Sequence, residues 1–104
     1  MSAYVVFVTF PDRERAAAVA RTLVEERLAA CVNLLGDVRS IYRWQDAVHD
    51  DAEVLCAIKT TSERFEALRA RVVALHPYDV PEVIALPIVE GHAPYLDWLR
   101  ESSR

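Results

Sequence analysis

At 104 residues, with 53% hydrophobic side chains, 2 glycines and 5 prolines, the chain can bury one core but not two, and it is neither disordered nor of low complexity. Twelve Lys and Arg stand against sixteen Asp and Glu, a formal charge of −4 without a basic cluster, which argues against nucleic acid or anionic lipid as partners. The first apolar run, Tyr4 to Phe10, is too short for a membrane span and lacks the flanks of an export signal. The expectation is one cytoplasmic domain over residues 1–104, with Cys31 and Cys56 as reduced thiols.

Tyr4 to Phe10 (YVVFVTF) is rich in β-branched and aromatic residues and predicts a strand, ended by Pro11 and followed by Asp12 as a helix cap. From Glu14 to Leu28, apolar residues Ala16, Val19, Ala20, Leu23, Val24 and Leu28 recur at spacings of three and four, an amphipathic helix. Ala30 to Leu35 predicts a second strand that continues past Gly36-Asp37, long or bulged, through Val38 to Trp44. Gln45 to Asp51 reads as a turn, and Glu53 to Thr60 as the third strand. Thr61 or Ser62 is positioned to cap a second helix carrying the stripe Phe65, Leu68, Val72 and Leu75, which His76-Pro77 ends. Val83 to Ile88, with Pro87 inside it, predicts an edge strand, and Ala93 to Glu101, opened by Pro94, a short closing helix.

The order β-α-β-β-α-β plus a terminal helix is the α+β, ferredoxin-like arrangement, in which two helices cover one face of a four-stranded antiparallel sheet. Its strands should then alternate apolar and polar. Instead both faces are apolar: Val5 and Phe7 oppose Val6, Val8 and Phe10, and Val54, Cys56 and Ile58 oppose Leu55 and Ala57. A second copy of the same chain is the economical cover for such a face.

The ordered set Glu25-Glu26-Arg27-Leu28-Ala29-Ala30-Cys31-Val32-Asn33, Ser40-Ile41-Tyr42-Arg43-Trp44, Lys59-Thr60, His76-Pro77-Tyr78 with Pro81-Glu82, and Tyr95-Leu96-Asp97-Trp98 resembles the CutA divalent-cation tolerance family over essentially the whole chain. The resemblance implies a ferredoxin-like fold in a tight homotrimer whose long hairpins reach across to neighbours. It also implies a link to divalent-metal tolerance, notably of copper, and a trimer similar to that of PII-type signalling proteins, which hold small ligands between subunits. Where the family usually has Gly in the hairpin, this chain has Trp44-Gln45-Asp46-Ala47, and Asp tolerates the left-handed conformation better than most residues.

No CxxC, HxxxH or HExxH spacing occurs, so a preformed zinc site has no support. Copper, which accepts thiolate or imidazole, leaves His76 and Cys31 as candidate ligands. The family's copper site, as the resemblance implies it, joins this histidine to a neighbouring histidine and a cysteine late in the first strand; here those positions are Leu75 and Val8, so binding should be weak. His49 and His92 read as exposed loop residues. Lys59 ends an apolar strand and, with Asn33, Tyr78 and Glu82, could line an inter-subunit cleft for an anionic or polar ligand; alternatively Lys59 pairs with Glu82 to fix subunit register. Cys31 and His76 have no third, orienting group, so no catalytic set is read. The leading expectation is a non-enzymatic trimeric metal-response protein; the alternatives are a PII-like metabolite-binding trimer and an uncharacterised enzyme.

Overall fold

The computed structural model describes residues 2–104. Its elements are β1 (Ala3–Phe10), α1 (Arg13–Glu25), β2 (Cys31–Trp44), β3 (Ala47–Thr61), α2 (Phe65–Leu75), β4 (Ile84–Pro87) and α3 (Ala93–Ser102). The four strands form one antiparallel sheet in the order β2-β3-β1-β4, the expected ferredoxin-like topology. β4 is an edge strand, so Pro87, which has no N–H to give, sits where no ladder bond is required of it.

Val6, Val8 and Phe10 of β1 meet Val54, Cys56 and Ile58 of β3 on the face covered by Ala16, Val19 and Leu23 of α1 and Leu68 and Val72 of α2. On the opposite face α3 covers one end only, packing its single fully buried side chain, Leu99, against Ala3 and Ala30. The remainder of that face is open. Val5, Phe7 and Leu55 are half-buried, and Ile84 and Leu86, their neighbours across the β1–β4 ladder, are 51% and 43% exposed.

Asp12 caps α1 as expected, its Oδ1 accepting the Arg15 N–H at 2.8 Å. The helix ends at Glu25, three residues before the sequence pattern does. Arg27 turns left-handed (φ 60°), and the bonds from its N–H to the Val24 carbonyl and from Leu28 N–H to the Leu23 carbonyl form a Schellman motif that folds Leu28 back into the core. Glycine is the usual residue there. Arg27 uses its side chain, donating from Nε to the Arg104 carbonyl at 2.8 Å and from Nη2 to the Glu101 carbonyl at 2.7 Å, which ties down the end of α3.

The expected turn over Gln45 to Asp51 is in fact two residues long. Gln45 (φ 50°) and Asp46 (φ 63°) are both left-handed and Trp44 pairs with Ala47, a type I′ hairpin, so β3 begins at Ala47. His49, Asp50 and Asp51 belong to the strand because they have cross-strand partners: Arg39 clamps Asp50 with both arms of its guanidinium, the Tyr42 hydroxyl donates to Asp51 at 2.5 Å, and the His49 ring stacks on Tyr42 at 5.3 Å. His49 is therefore a half-buried strand residue and not a loop residue. Neither Thr61 nor Ser62 caps α2: Thr61 is the last residue of β3, and Arg64 occupies the cap position without a side-chain bond.

Leu35 is the extra residue of a β-bulge. Leu34 pairs with Cys56 and Gly36 with Leu55, leaving Leu35 unpaired and 58% exposed. Gly36 has φ +108°, a conformation side chains rarely adopt. Gly36→Ala should lower stability by about 1–2 kcal/mol, whereas Asp46→Gly, which removes left-handed strain, should raise it by up to about 1 kcal/mol. Urea midpoints at a fixed protein concentration check both, and equal midpoints for Gly36→Ala and the parent would contradict the backbone argument.

Candidate functional site

A cleft of about 700 Å³ opens beside the end of β1, lined by Thr9, Tyr42, Trp44, Glu53, Tyr78 and Glu82. The bulge explains which hairpin residues reach it. Unbroken alternation along β2 would place Cys31, Asn33 and Leu35 on the open face; the bulge at Leu35 shifts the parity, so that Gly36 lies opposite Leu55, Val38 opposite Glu53, and Tyr42 and Trp44 fall on the side of Thr9 and Glu53. Three of the side chains lining the cleft are held by neighbours. Tyr42 is tethered to Asp51 and stacked on His49, and the Tyr78 hydroxyl donates to Oε2 of Glu53 at 2.8 Å.

His76 lies beneath the cleft, 8% exposed, its ring stacked on Phe10 at 4.6 Å and against Tyr78 at 4.7 Å. Its partners fix its tautomer. Nε2 lies 2.7 Å from the Thr9 carbonyl, which only accepts, so Nε2 carries the proton; Nδ1 receives the Tyr78 backbone N–H at 3.1 Å and is bare. Burial lowers the pKa of this imidazole, with the Thr9 bond and the charge of Glu53 opposing, and a neutral ring is what these two hydrogen bonds require. Burial raises the Tyr78 phenol well above its usual range, helped by Glu53, and raises Glu82 too, with repulsion from Glu53 adding to it.

The candidates named from sequence fall into two groups. Tyr78 and Glu82 line the cleft. Asn33 and Lys59 lie on the open sheet face toward the other end of the strands, where the Lys59 ammonium donates to Asn33 Oδ1 and Cys31 Sγ approaches the same oxygen at 3.8 Å. Within one chain the four are not brought together, and Lys59 does not reach Glu82 of the same chain: Lys59 is level with Val5 on β1, whereas Glu53, beside Tyr78 and Glu82, lies beyond Phe10, about 20 Å away along the strand. His76 and Cys31 are separated as well, because Cys31 is level with Val5 on the open face while His76 bonds to Thr9 and stacks on Phe10 of the helix-covered face. Among the described residues no group of three or more His, Cys, Asp or Glu is arranged to hold a metal ion. Cys31 and Cys56 are both free thiols; Cys56, fully buried, has its pKa pushed up to about 11 by desolvation. His92 is exposed at the start of α3.

Sequence reasoning did not assemble the cleft. Tyr42 and Trp44 entered only as members of the hairpin motif, and Thr9 carries no signal of its own. Gly36, where the strand changes parity, was the available clue.

Residues 4–102 match the profile of the family described as CutA1 divalent ion tolerance protein. The divalent-cation tolerance protein CutA of Thermus thermophilus is 57% identical over 99 residues, 95% of this chain and 96% of that protein. Protein CutA, chloroplastic, of Arabidopsis thaliana is 49% identical over 96% of this chain, which spans only 55% of that relative's length. The crystal structure of CutA1 from Oryza sativa superposes with a TM-score of 0.96 at 46% identity, covering all of this chain and 95% of that one. Among the described residues no helix is long and apolar enough to cross a membrane. A profile match over nearly the whole chain, with identities far above those that fold similarity alone requires, places this chain in the CutA1 divalent ion tolerance protein family.

Proposed function

We propose that the chain works as a cytoplasmic homotrimer in tolerance of divalent metals, without catalysing a reaction, and that it binds copper weakly through His76. The observation that carries the assembly is the open sheet face, where Val5, Phe7 and Leu55 adjoin the exposed Ile84 and Leu86, an apolar surface that another copy of the chain would cover. The exposed Ile41 and Val48 on the long hairpin, 65% and 66% accessible, supply a reaching arm with apolar side chains to bury. Metal tolerance is supported by family membership. Catalysis lacks support because Cys31 and His76, the one nucleophile and base considered, lie on opposite faces.

Copper at His76 has to replace the Tyr78 N–H on Nδ1, the only bare ring nitrogen, and the adjoining Leu75 and Val8 offer no ligand. That competition makes a weak site. A second reading, a small metabolite held between subunits as in PII-type trimers, is favoured by the 700 Å³ cleft, which falls within the size range of ligand pockets.

Light scattering at low micromolar concentration should give three times the chain's mass. Leu86→Asp places a charge at a side chain 43% exposed in one chain, so folding should survive while the trimer is lost; an intact trimer in that variant, or a stable parent monomer, overturns the assembly.

Calorimetric titration with Cu(II) should show weak binding that falls at least about tenfold in His76→Gln, and undiminished binding in that variant removes His76 as a ligand. The same side chain sets a pH dependence. Because its folded pKa is lowered, the unfolded chain binds a proton first as pH falls, so the stability contributed by the neutral ring is complete above about 6.5 and is lost as pH drops from there through the lower folded value. Urea midpoints between pH 8 and pH 5 should decline over that window, and the decline should shrink in His76→Gln.

A further inference from the structure

We propose that the cleft is completed by a neighbouring copy of the chain, whose Lys59 enters it and pairs with Glu82, an inference that rests on the homotrimer reading. Glu53, Asp79 and Glu82 line the cleft, and among the described residues none of the three has an ion-pair partner. Lys59 has none either. It is the chain's only lysine, and its ammonium donates to the amide oxygen of Asn33, a neutral group. Seven arginines, by contrast, meet carboxylates of their own chain.

Glu53 and Lys59 belong to one strand and alternate with Val54, Cys56 and Ile58 of the core, so both are on the open face of the sheet. A copy that covers this face takes both out of water, together with Glu82 beside Glu53, and a buried charge without a partner is strongly unfavourable. One chain has no internal remedy, because about 20 Å of strand separates its ammonium from its carboxylates. A ring of copies has one. Each chain in a ring presents one patch to the copy on one side and a different patch to the copy on the other. Lys59, level with Val5, and the cleft, beside Thr9, are two such patches, and each interface then joins one ammonium to one set of carboxylates. Glu82 is the acceptor because Tyr78 already donates to Glu53, whereas Glu82 accepts no hydrogen bond from the described residues. Desolvation and the charge of Glu53 hold Glu82 more protonated than an ordinary glutamate, which a neighbouring ammonium would reverse. Arg21 and Arg43 also lack a carboxylate, but Arg21 is on α1, across the sheet from the open face, and Arg43 alternates with Tyr42 and Trp44 and so points away from the cleft.

The single lysine makes the test direct. Carbodiimide joins an amine to a carboxylate in contact with it, so the parent protein, refolded from mixed nitrogen-15-labelled and unlabelled chains, should yield an isopeptide between Lys59 and Glu82 that links labelled to unlabelled chains. Lys59→Arg, which keeps the charge, and Glu82→Gln should each abolish that product. Charge reversal reads the same contact without a reagent. Subunit exchange, followed by mass in urea below the unfolding midpoint, should quicken at least about tenfold in Lys59→Glu and in Glu82→Lys, and return to within about threefold of the parent when the two are combined. Four results overturn the pairing while the homotrimer stands: Lys59 joined to another carboxylate, a trimer that yields no such isopeptide, single variants that exchange as the parent does, or a combined variant no slower than either. A parent that scatters light as a monomer overturns both.

Discussion

The extra residue in β2 is the constraint from which the cleft follows. An antiparallel strand has no freedom in which face a side chain occupies once its register is set. Leu35 resets that register in mid-strand, so one continuous strand serves two purposes: its first half sends Val32 and Leu34 toward the helices, and its second half sends Tyr42 and Trp44 to the side of Thr9 and Glu53. Gly36 makes the reset sterically possible. The cleft thus derives from a backbone irregularity some distance from most of the side chains that line it.

His76 shows how a motif residue can be structural without being inert. Its ring connects the end of β1 to the segment that follows α2, with one nitrogen for each, and both connections depend on the ring being uncharged. Tyr78, positioned by that bond and by Glu53, carries the connection into the cleft. A histidine chosen from sequence as a metal ligand thereby becomes the fastening of the loop that borders the cleft, and coordination there competes with the fold.

Much of the architecture was legible because periodicity reports burial. The apolar residues of β1 and β3 on the helix-covered face, and Leu68 and Val72 of the α2 stripe, correspond to real packing, with Leu68 and Val72 fully buried. The sequence pattern overran α1 because Leu28 is as buried as a helix residue would be, although it returns to the core through a Schellman turn. It also missed the start of β3, because His49, Asp50 and Asp51 are held by polar cross-strand pairs on an exposed arm, where alternation of hydrophobicity has nothing to report. The candidate site was legible only in part. Tyr78 and Glu82 were found through their motif, while Thr9 and Glu53 join them through sheet register, which pairs residues far apart in sequence.

The left-handed Arg27 joins two parts of the molecule that share little else. Its backbone ends the first helix and its guanidinium holds the carbonyls of Glu101 and Arg104 at the end of the last. The end of α3 is therefore held at two places at once, by Leu99 on the sheet and by Arg27 at the turn after α1, so a force on that end is shared between the sheet and the turn.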